Sequence, residues 1–265
     1  RRVFLILTIL FPFVLLVVLE LSLRFVQLGD DLSLFTKEVV AGRIYHVMNP
    51  AVKNRYFPSV PFNPATSPDY FVVPKPHSTY RILCLGGSTT VGYPYWYNGS
   101  YSSFLRDRLR RIFPNRDIEV INVGMTATNS YTVNDMAGEL INYEPDLFIV
   151  YDGHNEFYGA LGVASNESIA RSRWLTKTYL QLIHLRTFAL LQGAVISAFH
   201  LFDKNPAQTN NSTMMEKLAS GQYVPYGSDL YNDGLNSYKA NLAELASIAA
   251  SKKIPVMLGS QVSNV

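Results

Sequence analysis

Ser88 is the residue around which chemistry can be built, because it directly follows Gly86-Gly87 at the end of the apolar run Ile82-Leu83-Cys84-Leu85. Such a run reads as a short buried strand, and two glycines let the backbone turn sharply and approach a ligand without a Cβ in the way. A serine there would stand at the carboxyl end of the strand, where open α/β sheets bind ligands. A serine hydroxyl becomes a useful nucleophile only when a base takes its proton and fixed donors await the oxyanion it creates. Two other readings of this segment stay open at this point. Gly86-Gly87-Ser88-Thr89 could be a plain loop, or Gly87 to Gly92 a phosphate cradle, although the latter lacks the Gly-Lys-Ser/Thr ending that reaches β- and γ-phosphates.

Two later segments repeat the pattern. Glu119-Val-Ile-Asn-Val-Gly124 is a short strand ending in Asn and Gly, and Asp146-Leu-Phe-Ile-Val-Tyr-Asp-Gly-His-Asn-Glu156 is another, ending in Gly153-His154-Asn155-Glu156. Taken singly, Gly124 reads as a turn residue and Asn155 as a cap for backbone donors. Taken together, three strands bring Ser88, Gly124 and Asn155 to their carboxyl ends in order. Gly87, Thr89, Gly153, His154 and Glu156 are the neighbours that would line the resulting pocket. Asp152 and Glu156 read as supporting or solvated acids with no catalytic role.

At these residues the chain resembles the SGNH (GDSL-type) hydrolase superfamily, whose blocks carry a nucleophilic Ser, then a Gly, then a Gly-x-Asn after successive strands. Asn49-Pro50, Arg55-Tyr56-Phe57, Gly86 to Thr90, Gly153-His-Asn-Glu-Phe-Tyr-Gly159 and Ser263-Asn264 make it similar to a bacterial membrane-anchored branch, some members of which continue into tetratricopeptide repeats. The resemblance implies a three-layer, flavodoxin-like parallel sheet and an acyl-serine mechanism without cofactor. It also implies that the Ser88 N–H, the Gly124 N–H and the Asn155 side-chain amide serve as oxyanion donors. Its substrates would be ester-bearing small molecules, lipids or glycans, and the outcome either hydrolysis or acyl transfer.

The family's Asp-x-x-His block, which supplies the base, has no match. None of the histidines, His46, His77, His154, His184 and His200, has an aspartate three residues before it. The expectation is therefore of a domain over 79–265 that stops before its His block, so that residues 1–265 alone would be poorly competent. A rival of another class is a non-catalytic accessory subunit that keeps the fold and binds a larger membrane assembly.

The elements that must hold these residues follow from periodicity. Strands are expected at Arg81–Leu85, Glu119–Val123, Leu147–Tyr151 and Ile254–Leu258, alternating with helices near Ser103–Phe113, Tyr131–Asn142 and Gly234–Ser251. That alternation predicts a parallel, helix-covered sheet. Residues 26–78, rich in Pro, Tyr and Phe, are expected to wrap the domain as an irregular extracytoplasmic linker. An excursion over 160–233 contains the apolar helix candidate Tyr179–Phe202 and could be a lid, a membrane-dipping helix or a docking surface for other subunits.

Arg1-Arg2 precede an apolar run from Val3 to Leu19, about the ~20 residues that span a bilayer, with Glu20 and Arg24 at helical spacing beyond it. Residues 1–25 are thus expected to be a single transmembrane signal anchor, N-terminus in the cytoplasm, with the main domain periplasmic or extracellular. No small-x-small cleavage pattern follows. A net charge of +3 without a long basic run points to no nucleic-acid partner. Arg106, Arg108, Arg110 and Arg111 are expected to be the solvated face of an amphipathic helix, and Cys84 a small buried hydrophobe. No His/Cys spacing suggests a metal. Asn98, Asn166, Asn210 and Asn211 begin Asn-x-Ser/Thr tripeptides, which would matter only in a glycosylating host.

Overall fold

Eight residues, Thr79–Gly86, form the central strand on which everything else is hung. The computed structural model describes residues 1–58, 64–165, 168, 172–202 and 223–262, so Asn166, Asn210, Asn211 and Ser263-Asn264 lie outside it. In chain order the elements are α1 (Arg2–Phe25), β1 (Phe35–Val40), β2 (Arg43–Met48), β3 (Tyr70–Val73), β4 (Thr79–Gly86), α2 (Ser88–Val91) and α3 (Tyr101–Ile112). They continue with β5 (Asp117–Asn122), α4 (Ser130–Leu140), β6 (Leu147–Tyr151), α5 (Arg173–Leu182), α6 (Arg186–Phe202), α7 (Asp229–Ser251) and β7 (Val256–Leu258).

β5, β4, β6 and β7 lie side by side in that order, all parallel. Alternation along β4 sends Leu83 and Leu85 to one face and Ile82 and Cys84 to the other. The first face joins Ile121, Val123, Phe148 and Val150 with Met136, Ala137 and Leu140 of α4 and Leu245 and Ala249 of α7. The second packs with Val120 against Tyr101, Leu105 and Leu109 of α3. Helices thus cover both faces, which gives the expected three-layer parallel α/β architecture. Cys84 is fully buried, and burial pushes its thiol up to about 12.

The segment expected to be irregular is not. β1, β2 and β3 form an antiparallel sheet in which Phe35 pairs with Met48 and His46 with Phe71. Phe35, His46 and Phe71 cluster around Tyr143, an aromatic content that favours strand pairing over loop. Both ring nitrogens of His46 are buried without a partner, and desolvation holds its pKa below the usual range. The segment is tied to α4: Arg55 pairs with Asp135 at 3.2 Å and Glu139 at 2.6 Å, and the Tyr56 hydroxyl donates to Asp135 at 2.6 Å.

The two sheets meet at Arg81, only 1% exposed. Its Nε pairs with Glu119 at 2.7 Å, while Nη1 and Nη2 donate to the carbonyls of Tyr143 (2.7 Å) and Val72 (3.0 Å). Its guanidinium also lies 4.4 Å from the Phe71 ring centre. Arg106 departs from expectation in a similar way. It is not on the solvated face of α3 but donates to the Val120 carbonyl and pairs with Asp69.

The apolar candidate Tyr179–Phe202 is broken rather than continuous, bending by 107° between α5 and α6. Glu20 of α1 accepts hydrogen bonds from the Arg186 and Thr187 N–H groups at 3.1 and 2.9 Å, so it caps the start of α6 from a distant part of the chain. The expected anchor is a helix whose Phe4, Phe11, Phe13 and Leu21 are exposed. Among the described residues, however, no single helix is long and apolar enough to cross a membrane. By length and composition only the bent α5–α6 pair passes that test.

Candidate active site

The carboxyl end of β4 is enclosed on both sides, since β5 and β6 flank it and Gly86 pairs in register with Tyr151. Gly86 has φ +149°, and a methyl there would run into the Tyr151 carbonyl and the Thr90 hydroxyl. Only glycine fits that turn. A methyl on Gly87 would stand 3.0 Å from Asn155 Nδ2. The absence of a side chain at Gly87 lets the Asn155 amide come against the backbone beside Ser88.

Ser88 is half-buried and opens α2; its carbonyl accepts from Gly92 and Tyr93 N–H at 3.0 Å each. Thr89 is exposed, whereas Thr90 is buried and donates to the Tyr151 carbonyl at 3.2 Å. From β5, Asn122 Nδ2 donates to the Thr90 carbonyl at 2.6 Å and to Ser102 at 2.9 Å. The turn carrying the serine is therefore locked to both neighbouring strands.

Gly124 occupies a different place from the one expected. Its N–H is donated to Asn122 Oδ1 at 2.9 Å, and a methyl on it would stand 2.8 Å from Val91 N and 3.0 Å from Thr90 Cγ2. It is the glycine that lets α2 pack down on β5. The part of this loop that meets Gly87 lies further on: Thr128 O and Oγ1 come within 3.7 and 3.9 Å of a methyl placed there. Ala127, just before it, is 1% exposed and has φ +61°, a conformation that costs an L-residue energy and clusters at functional sites. Sequence reading looked for a glycine and passed over an alanine held where glycine is preferred.

The loop after β6 is built around Asn155, which is 8% exposed and whose carbonyl accepts from Gly159 N–H at 2.6 Å. Gly153 has φ +124°, and Gln261 and Tyr238 occupy the space a side chain would need. Both donate to the Asp152 carbonyl at 2.9 Å. Asp152 and Glu156 are not solvated acids: they are 5% and 4% exposed. Burial, opposed by a hydrogen bond from the Gly153 N–H, pushes Asp152 up to about 7. Burial and, after it, the charge of Asp152 push Glu156 up to about 8. Glu156 accepts from Ser130 N at 3.1 Å and Ser130 Oγ at 2.8 Å.

His154 is exposed beside the Tyr151 ring, at 5.4 Å between centres. Among the described residues no histidine is hydrogen-bonded to Ser88. The histidine–acid pair the fold does make is elsewhere. His184 Nε2 lies 2.8 Å from Asp135 Oδ1, at a cavity of about 670 Å³ lined also by Arg55, Glu139, Lys177 and Glu244. In the sequence His184 lies in an apolar stretch with no aspartate three residues before it, and Asp135 is 49 residues away, so the pair has no local signal.

No protein-family profile and no curated protein matches the chain. Eight chains of solved structures do. One is a two-domain esterase (CEX) active on acetylated mannans, co-crystallised with mannopentaose, at 19% identity and a TM-score of 0.27 over 45% of this chain and 36% of that one. This chain thus spans about a third of that esterase. Another is AlinE4, an SGNH-hydrolase family esterase, at 15% identity and a TM-score of 0.30, covering 69% and 77% of the two chains. A point mutant of the same esterase is similar at 13% identity, a TM-score of 0.30 and coverage of 72% and 89%.

Proposed function

We propose that the protein cleaves the acyl group from an ester, or transfers it, through an acyl-serine at Ser88. The observation that carries this reading is the Asn155 amide held against Gly87, next to a serine at the carboxyl end of the central parallel strand. Ser88 Oγ would attack the ester carbonyl carbon as its proton passes to a base. The carbonyl oxygen would gather negative charge beside Asn155 Nδ2, and the ester C–O bond would then break as the alcohol leaves with a proton. Water would return Ser88 and release the acid; a sugar or lipid hydroxyl in its place would complete an acyl transfer.

Membrane attachment through α1, with the main domain outside the cytoplasm, belongs to the same proposal. It is supported by the exposed apolar side chains along α1 and by Arg1-Arg2 before them. A second reading, a non-catalytic subunit that binds a membrane assembly, is favoured by one observation: the described histidine–acid pair, His184 with Asp135, is not at Ser88.

Labelling with a fluorophosphonate probe separates the two. Wild-type protein should be labelled at Ser88 and Ser88→Ala should not, with unchanged thermal unfolding. Equal labelling of both proteins, or of neither, would overturn the catalytic reading.

A further inference from the structure

Two loops reach the proposed oxyanion side of the site, residues 123–129 after β5 and residues 152–160 after β6. Neither is regular structure, yet the Asn155 amide must be held to a fraction of an ångström for it to stabilise a transition state. Three contacts join the loops. Ala160 N–H donates to the Ala127 carbonyl at 2.8 Å. Gly159 admits no side chain, since a methyl there would stand 2.7 Å from Asn155 O and 2.9 Å from Ala127 O. The third contact is made by a side chain: Glu156, next to Asn155, spans to Ser130 and accepts from both its N–H and its hydroxyl.

The far end of this clamp is itself held. Asn241 Nδ2 of α7 donates to Ser130 Oγ at 2.8 Å, which leaves the hydroxyl proton directed at Glu156 Oε1. The Asn241 side-chain oxygen accepts from Arg173 at 2.9 Å. Ser130 and Asn241 are 2% and 1% exposed. Ser130 is also the first residue of α4, where backbone N–H groups favour an acceptor carboxylate. A buried acid with both oxygens engaged in this way is more than a filler of space.

We propose that Glu156 is a positioning residue: it clamps the Asn155 loop to the start of α4 and thereby fixes where the Asn155 amide points. The inference rests on the ester-cleavage reading and concerns how its donor is aimed. It assigns Glu156 no contact with substrate.

The test is a set of variants of the full chain assayed on p-nitrophenyl acetate, with fluorophosphonate labelling rate as a second readout. Glu156→Ala should lower kcat about tenfold to hundredfold with KM within twofold, less than the ~10²–10³ that removal of an oxyanion donor typically costs. Glu156→Gln, which can still bridge to Ser130, should recover most of that loss. In an Asn155→Ala background, Glu156→Ala should cost less than about twofold more, because groups that act through one another are non-additive. Multiplying losses, or a Glu156→Ala protein with wild-type kcat, would overturn the inference. Should Glu156→Ala fail to fold, Ser130→Ala removes the hydroxyl half of the clamp while keeping the N–H half, and should show a smaller kcat loss, at least about threefold, that disappears in the Asn155→Ala background. A Ser88→Ala protein as active as wild type, or a wild type that neither turns over nor labels, would instead overturn the ester-cleavage reading on which the inference stands.

Discussion

At the scale of single residues, the turn after β4 was legible because its requirements are steric and local. Gly86 must be glycine, since the Tyr151 carbonyl occupies the place of a side chain, and a methyl on Gly87 would stand only 3.0 Å from the Asn155 amide nitrogen. Gly87→Ala is a direct test of that crowding: the methyl would force the amide away by a few tenths of an ångström. We expect kcat on an activated acetyl ester to fall at least about tenfold with little change in thermal unfolding, since small misplacements at a reacting centre are costly. A variant with unchanged kcat would show that the amide is not used. Gly124 was misread because a glycine after a strand looks the same whether it frees a donor or admits a neighbouring helix. What separates the cases is the side chain of Asn122, two residues earlier, which takes up the Gly124 N–H.

At the scale of elements, the four parallel strands and the helices between them were legible from period and alternation, within a few residues at each end. The boundaries moved where caps decide them. Ser228 starts α7 earlier than the apolar pattern suggests, its side chain accepting from Tyr231 N. The antiparallel sheet of β1 to β3 was missed because its hairpin turns at Ala41-Gly42, both at positive φ but without the Asn-Gly or Asp-Gly signature of such a turn, and because its aromatic cluster closes on Tyr143, far along the chain. α1 carries its own prediction. If it anchors the protein with its N-terminus inside, protease added to spheroplasts should degrade the main domain, and removing residues 1–25 should release the protein from the membrane fraction. Protection of the domain in intact spheroplasts would contradict the proposed topology.

At the scale of the whole molecule, two buried acids contribute a fall in stability as pH rises. Asp152 at about 7 and Glu156 at about 8 stand above their unfolded values near 3.9 and 4.3, so between those limits the unfolded chain releases protons that the fold retains. Stability should therefore decline as pH rises from about 4 to about 8, by up to ~1.4 kcal/mol per unit for each group. Asp152→Asn should flatten the decline in melting temperature measured from pH 5 to 8, and parallel profiles would refute the assignment. Arg81 bears on the same scale. Because one buried guanidinium ties β3, the Tyr143 turn and β5 to the central strand, parting β3 from the parallel sheet must break its bonds. The slowest amides of the small antiparallel sheet should exchange with deuterium at the rate set by global unfolding, together with those of β4. Arg81→Met should split them into two classes, the β2–β3 amides exchanging early while those of β4 and β6 stay protected.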